Sequence, residues 1–307
     1  MNKEEQKKVD ATLDLLANTG LQWSITKEKL VAEDGKPTHS FGLFRGDDHS
    51  HLATVTDRYS VFQNYELAEA IVEATHEIGL ETTRGGQLNG GQKVYLQAEM
   101  PSSYIGKSDV KRWLTGLGHH GGGSVAFGST DVVVICQNTF YKAYGELSKF
   151  RHTASIKERV KEFVENFKIA LGIAQQQLQT YKIMANVPIQ DQLIAEIMKT
   201  VFKLTPETKK EEITKGQQDK YINVLASIKT ELELEGATVW GLFNGITRYT
   251  NHHAMKAKAD LAPELRAEKL QGYLMTGEGY EVNLKTYKTI TNWLVDNNLM
   301  LLEGVQK

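Results

Sequence analysis

The sequence predicts an α+β protein: a twisted antiparallel sheet in the N-terminal half packed on helices, followed by a mostly helical C-terminal part. Three observations predict it. Short alternating or β-branched runs cluster before residue 140, among them 39–45, 51–56, 93–98 and 132–136. After residue 155 apolar residues recur at helical spacing, as in Ile156, Val160, Phe163, Val164, Phe167 and Leu171. Strands first and helices afterwards argue against an alternating parallel sheet. The expected division is a core domain over residues 1–182 and a helical region over 183–307 packed on it.

Each element has a local reason. Val9, Leu13, Leu16 and Ala17 mark a helix over 4–17, with Gly20 as its C-terminal cap. The alternation at 21–25 reads as a strand, and 33–37 as a turn before a return strand at 39–45. Residues 51–56 form a further strand. His49 and His51 stand near Asp47 and Asp48, but no second half with metal-site spacing follows, so no metal is expected. The polar stretch 57–64 holds Arg58, Tyr59, Gln63 and Asn64. Asn64 is placed to cap a helix over 65–78 that Gly79 ends.

A hairpin comes next, with Asn89-Gly90 supplying the positive φ angles of a tight turn. A strand rather than a helix follows the glycines at 85–91, and no Gly-Lys-Ser/Thr is present. A phosphate loop and a nucleotide cofactor are therefore not expected. Residues 109–127 supply more sheet, broken by Gly116, Gly118 and the glycines at 121–123. His119 and His120 are neighbours in an extended chain and point to opposite faces, so they are poorly placed to share a metal. Either could touch a ligand singly.

The apolar run 132–136 reads as a buried strand, and Gln137-Asn138-Thr139 at its exit is either a hydrogen-bonded joint or a site. From Tyr141 the pattern turns helical and basic. Lys142, Lys149, Arg151, His152 and Arg159 recur with Tyr141, Tyr144 and Phe150 between them, leading into a long helix over 155–182. Basic side chains with interleaved aromatics hold phosphates and stack bases; the other reading is an ordinary mixed-charge helix face. Further helices are expected at 189–203 after Pro188, beyond Thr205-Pro206, at 221–234 before Gly236, at 238–253 and at 280–299. Asn244, Arg248 and Asn251 share one face of the apolar 238–253 segment.

Composition sets bounds on function. With 307 residues, 40% hydrophobic and 24% charged, the chain can bury a sizeable core. The single cysteine, Cys136, excludes an intrachain disulfide and a cysteine zinc cluster, and is expected buried and inert. The start, MNKEEQKKVDATLDLL, lacks the apolar run of a signal peptide, and no stretch approaches the roughly 18 apolar residues of a membrane span. A cytoplasmic location and no membrane partner are expected. The net charge of −2 conceals an asymmetry: residues 1–83 hold 8 Lys/Arg against 15 Asp/Glu, and residues 84–182 hold 13 against 7. The basic middle third points to a polyanion, or to a solvated face balanced by the acidic first third.

Several stretches together resemble one family: Leu15-Leu16-Ala17 with Gly20-Leu21-Gln22-Trp23; the run from Val55 to Asn64; Gly86 to Val94; Val134 to Thr139; Phe150-Arg151-His152-Thr153; and Trp240 to Thr247. This set, over about residues 10–255, is similar to the phage/plasmid-like proteins of domain of unknown function 932. The resemblance implies a home on phages, prophages and plasmids, often among DNA-metabolism genes. The run Gly118-His119-His120-Gly121-Gly122-Gly123-Ser124 stands where family members tend to have histidine–aspartate–glycine–serine. The missing aspartate counts against an acid–base role there. The tryptophan-bearing N-terminal motif of many members is also absent.

Three function classes follow. The first is a non-enzymatic single-strand nucleic-acid-binding, annealing or recombination-mediating accessory protein of a mobile element, with assembly into homo-oligomers. Lys93, Lys111, Arg112, Lys142, Lys149, Arg151 and Arg159 would contact phosphate, and Tyr95, Tyr141 and Tyr144 would stack on bases. The second is an enzyme with a polar site drawn from Arg58, Tyr59, Gln63, Asn64, Gln137, Asn138, Thr139, Arg151 and His152. No nucleophile–base pair has diagnostic spacing, so no catalytic residue and no cofactor is named. The third is a protein-binding anti-defence factor.

Overall fold

A computed structural model describes residues 2–76, 80, 82–133, 138–143, 149–165, 167–204, 214–253 and 262–300. The architecture is α+β, with antiparallel sheets first and helices afterwards. Helix α1 (Lys3–Thr19) opens with a capping box between Asn2 and Glu5 and stops at Gly20, whose φ of 68° is left-handed as predicted. Strands β1 (Ile25–Val31), β2 (Pro37–Arg45) and β3 (His51–Thr56) form a three-stranded antiparallel sheet in that order.

The alternation at 21–25 misleads: the strand runs from Ile25 to Val31 instead. Leu21 and Trp23 are buried by packing, and side chains take the place of a pairing strand. The Gln63 amide donates to the Ile25 carbonyl (2.9 Å) and accepts from its N–H (2.8 Å), while Asn64 Nδ2 donates to the Trp23 carbonyl (3.0 Å). Asn64 therefore does not cap helix α2 (Asn64–His76), because its side chain is turned into the core. Glu66 reaches back to the Gln63 N–H (2.7 Å) in its stead. Gly79 lies outside the described residues.

The second sheet has the order β4 (Thr82–Leu88), β5 (Lys93–Ile105), β6 (Ser108–His119), β7 (Val125–Val133) and β8 (Asn138–Ala143), with β9 (Lys149–Phe150) paired to β7. The predicted hairpin joins β4 and β5, with Leu88 opposite Lys93 and positive φ at Asn89 (52°) and Gly90 (63°). Gly116 and Gly118 do not break β6. A Cβ at Gly116 would stand 2.9 Å from Ile71, and one at Gly118 would stand 2.7 Å from Val94, so these positions admit close packing against neighbours. A buried polar row ties β5, β6 and β7 together. Arg84 Nε donates to Gln97 Oε1 (2.7 Å), and Gln97 Nε2 donates to Thr115 (2.9 Å) and Thr130 (3.0 Å).

The chain is also not yet helical at Tyr141. Asn138–Ala143 and Lys149–Phe150 complete the sheet, where a run rich in Thr and aromatics satisfies its backbone by pairing. The helical half then begins with α3 (Ile156–Glu165) and α4 (Phe167–Asn186), which take up the stretch where a long helix over 155–182 was expected; residue 166 lies outside the described residues. Then come α5 (Asp191–Thr200), α6 (Lys215–Glu235), α7 (Val239–Arg248), a π turn over Tyr249–His253, α8 (Pro263–Thr276) and α9 (Glu278–Asp296). Gly236 ends α6 as predicted, and α8 is an element the sequence reading did not contain. Cys136 and the Thr205-Pro206 start lie outside the described residues.

The chain divides into two compact units. The first comprises Met1–Pro101, Arg112–Thr130 and Ala143–Ile173; the second comprises Ser102–Lys111, Asp131–Lys142 and Ala174–Lys307. In the second, α7 lies against α6 at backbone distance. A Cβ at Gly245 would sit 2.5 Å from Ile228 Cα, and one at Gly241 would sit 2.5 Å from the Gly236 carbonyl. The polar face of α7 meets α6 through Arg248, whose Nη1 bonds Glu231 Oε1 at 3.2 Å. Gly245→Ala is expected to destabilise by about 1–3 kcal/mol through overpacking. Gly272→Ala, in open space on α8, should not destabilise, and urea melts of the two variants check this.

Candidate functional site

In the first unit, three separate stretches converge: the polar loop before α2, the end of β6, and the segment after β9. The Tyr59 ring stacks on His152, with centroids 4.4 Å apart and planes inclined 12°. A reciprocal pair of bonds fixes that stack. The Ser60 N–H donates to the His152 carbonyl (3.1 Å), and His152 Nδ1 donates to the Ser60 carbonyl (3.0 Å). Because that carbonyl only accepts, Nδ1 carries the proton and Nε2 is the bare nitrogen. From β1, Lys27 Nζ donates to the carbonyls of Asp57 (2.7 Å) and Tyr59 (2.8 Å), pinning the loop.

The end of β6 supplies two more imidazoles. His120 Nε2 donates to Asn64 Oδ1 (2.8 Å), whose amide is already committed to Trp23, and the ring meets Trp23 edge-on at 5.6 Å. His119 Nδ1 accepts from the Gly123 N–H (3.0 Å), and a Cβ at Gly123 would fall 2.5 Å from that ring. The glycine after the histidine pair thus makes room for His119. The Tyr59 hydroxyl donates weakly to the His119 carbonyl (3.4 Å).

Burial keeps these rings neutral. It pushes His120 down to about 3 and His119 to about 4, with neighbouring cations and imidazoles adding to the effect. His152 is also lowered by burial, against an opposing pull from the Ser60 and His119 backbone that favours the charged ring. Burial raises the Tyr59 phenol and lowers Lys93, which sits near His119. His152 is 7% exposed, and its Nε2 is buried without a hydrogen-bond partner. Among the described residues no group of three or more His, Cys, Asp or Glu side chains is arranged to hold a metal. Asp47 and Asp48, near His49 and His51, engage Arg45 instead.

Of the polar motif read from the sequence, the fold brings together Tyr59, Gln63, Asn64 and His152, with Arg58 exposed beside Tyr59. Gln137 lies outside the described residues, and Asn138 and Thr139 lie on β8. Of the proposed phosphate and base contacts, Lys149, Arg151 and Arg159 are exposed in the first unit. Arg159 rests over the Phe150 ring at 5.5 Å. Lys93 and Tyr95 are half-buried on β5, and Lys111 is half-buried on β6. Arg112 is a correction: it is 1% exposed, because the strand's period of two puts it on the same side as buried Ser108 and Val110. It cannot reach a phosphate in solvent. Tyr141 and Lys142 lie on β8, and Tyr144 is outside the described residues.

The acidic first third does lie against part of the basic stretch. Lys157 pairs with Glu66, and Lys157 and Lys161 line a cleft of about 400 Å³ with Glu66, Glu69 and Glu73. Sequence reasoning weighed His119 and His120 only as single contacts and gave Lys27 no part in the site. The glycine run behind the histidines was the available signal for the first.

No helix among the described residues is long and apolar enough to cross a membrane. No curated protein and no solved structure matches the chain. A family model described as "Domain of unknown function (DUF932)" matches residues 51–274, which takes in the polar loop, the histidine pair, Arg151-His152 and the close-packed α6–α7 pair. The stretch at 15–23 that adds to the resemblance precedes that match. A match over well more than half of its length shows that the chain belongs to the DUF932 family.

Proposed function

We propose that this protein binds single-stranded nucleic acid without catalysis, as an accessory of DNA metabolism on a phage or plasmid, working in the cytoplasm of the host cell. The observation that carries this reading is a set of exposed cations in one unit. Arg58, Lys149, Arg151 and Arg159 make no ion pair among the described residues; Arg159 lies over the Phe150 ring, and Arg58, Lys149 and Arg151 are the sequence neighbours of Tyr59, Phe150 and His152. Exposed guanidinium and ammonium groups next to aromatic faces suit a phosphodiester backbone, whose contacts are largely independent of sequence. Lys157 and Lys161, facing glutamates, are not part of it. Assembly of several copies along a strand belongs to the same reading.

The test is fluorescence anisotropy with a labelled oligothymidylate over a salt series. Affinity should fall at least about tenfold between about 50 and about 200 mM salt, as counterion release requires. Lys149→Ala with Arg151→Ala should flatten the slope while leaving the melting curve in place, since exposed charges contribute little to stability. Absence of binding at micromolar protein and low salt would remove this reading in favour of an enzyme or a protein-binding factor.

A further inference from the structure

His152 is the group in this site with unspent chemistry. It is buried, its Nδ1 is spent on Ser60, and its Nε2 has no partner. Two influences of opposite sign act on it. Burial favours the neutral ring, whereas the Ser60 and His119 backbone favours the charged one. A ring held between such influences responds to any new charge placed nearby. Arg58 and Arg151 directly precede the two stacked residues in sequence, and both are exposed and without an ion pair among the described residues.

We infer that the Tyr59–His152 stack is a proton-linked phosphate seat: a phosphodiester docking on Arg58 and Arg151 is bound together with one proton taken up at His152 Nε2. The proton comes from solvent, and the charged ring then has an N–H at both nitrogens. Nδ1 keeps its bond to Ser60, and Nε2 is turned from an idle acceptor into a donor in the company of the His119 backbone. The anion offsets the cost of a buried positive charge.

The surrounding groups fit an anion. Lys27 faces the loop from β1, Lys93 approaches His119 from β5, and Tyr59, His119 and His120 are uncharged at neutral pH. Asp57 is the only carboxylate in residues 57–64 and 149–153, and it is exposed. A phosphate bound near His152 would favour its charged form, against the burial that holds the ring neutral.

The inference rests on the nucleic-acid reading, and the experiment separates the two. Calorimetric titration of the full chain with oligothymidylate, in buffers of different ionisation enthalpy, reads proton uptake directly. Between about pH 8 and about pH 6 the affinity should rise, by at most about tenfold per pH unit, with uptake approaching one proton per site. His152→Gln should abolish the uptake and bring the ratio of affinities at the two pH values to near one. Arg58→Ala with Arg151→Ala, both exposed and not expected to disturb folding, should abolish uptake too. Inorganic phosphate should compete if a single phosphate fills the seat. Binding with no proton uptake, or uptake that survives His152→Gln, overturns the inference and leaves the nucleic-acid reading intact. No binding at either pH overturns both.

Discussion

Lowering the pH from about 7 to about 5 is expected to cost this protein about 2 kcal/mol of stability through His120 alone. Burial among Asn64, Trp23 and the neighbouring imidazoles holds the folded ring's pKa near 3, so the native state binds no proton there across this range. The unfolded chain titrates near the ordinary value of about 6.5 and takes up the proton first. Stability contributed by the neutral ring is therefore full above about pH 6.5 and is lost progressively as pH falls toward the folded value. At about pH 5 the gap is about 1.5 units, each worth about 1.4 kcal/mol. His119 acts in the same direction but is more exposed, so solvent screening reduces its share. Asp47, held down to about 2 by Arg45, enters only at lower pH. Urea denaturation at the two pH values, on the wild type and on His120→Gln, measures the effect. The variant should lose less on acidification by about 2 kcal/mol, and an equal loss in both proteins would contradict the neutral, buried His120.

Replacing Asn64 by leucine should be the most destabilising single change in the first unit, at about 3 kcal/mol or more. Asn64 is 1% exposed and serves two buried partners at once, the Trp23 carbonyl and His120 Nε2. Leucine has a similar volume, so the cost comes from leaving an acceptor and a donor unpaired in an apolar setting. The loss should also deepen on acidification less than in the wild type if the variant lets water reach His120. A melting temperature within a few degrees of wild type would show that the segment 21–24 does not depend on that amide. Gln63 supports the same segment, so Gln63→Ala should weaken it by a smaller amount, its partners at Ile25 being nearer solvent.

These two residues also show what the sequence could and could not reveal. Local chemistry was legible: Gly20 and Gly236 end helices because the chain there needs positive φ, and Asn89-Gly90 turns a hairpin for the same reason. The α+β order followed from where the period changes. What failed were inferences that depend on partners distant in the chain. The alternation at 21–25 looked like a strand because Leu21 and Trp23 are buried, but side chains from residues 63 and 64 do the pairing. Asn64 looked like a cap because asparagine before a helix usually is one, until His120 supplied a competing partner. Arg112 looked like a phosphate contact because charge alone does not say which face of a strand it occupies. The extra strands beyond residue 137 escaped notice because basic residues there resemble the helix that follows.

The candidate site was half legible in the same sense. The stretch around Arg58-Tyr59 and the stretch around Arg151-His152 each stood out as dense polar sequence. Their meeting, as a stack of the Tyr59 and His152 rings held by a hydrogen bond between Ser60 and His152, 92 residues apart, is a product of the chain that folds into the sheet between them in sequence. The histidine pair at the end of β6 joins them only because the strand runs through Gly118 without a break.

The central claim is that a phosphodiester docks at this stack. The most direct measurement is a titration of the isotopically labelled protein with oligothymidylate, followed by NMR of backbone amides and imidazole side chains. The account predicts shifts confined to residues 58–60, 119–123 and 149–159, with the His152 ring signals moving toward the protonated form as the oligonucleotide saturates. Shifts centred on α6 to α9, or a bound state in which the His152 ring stays neutral and unperturbed, would contradict it.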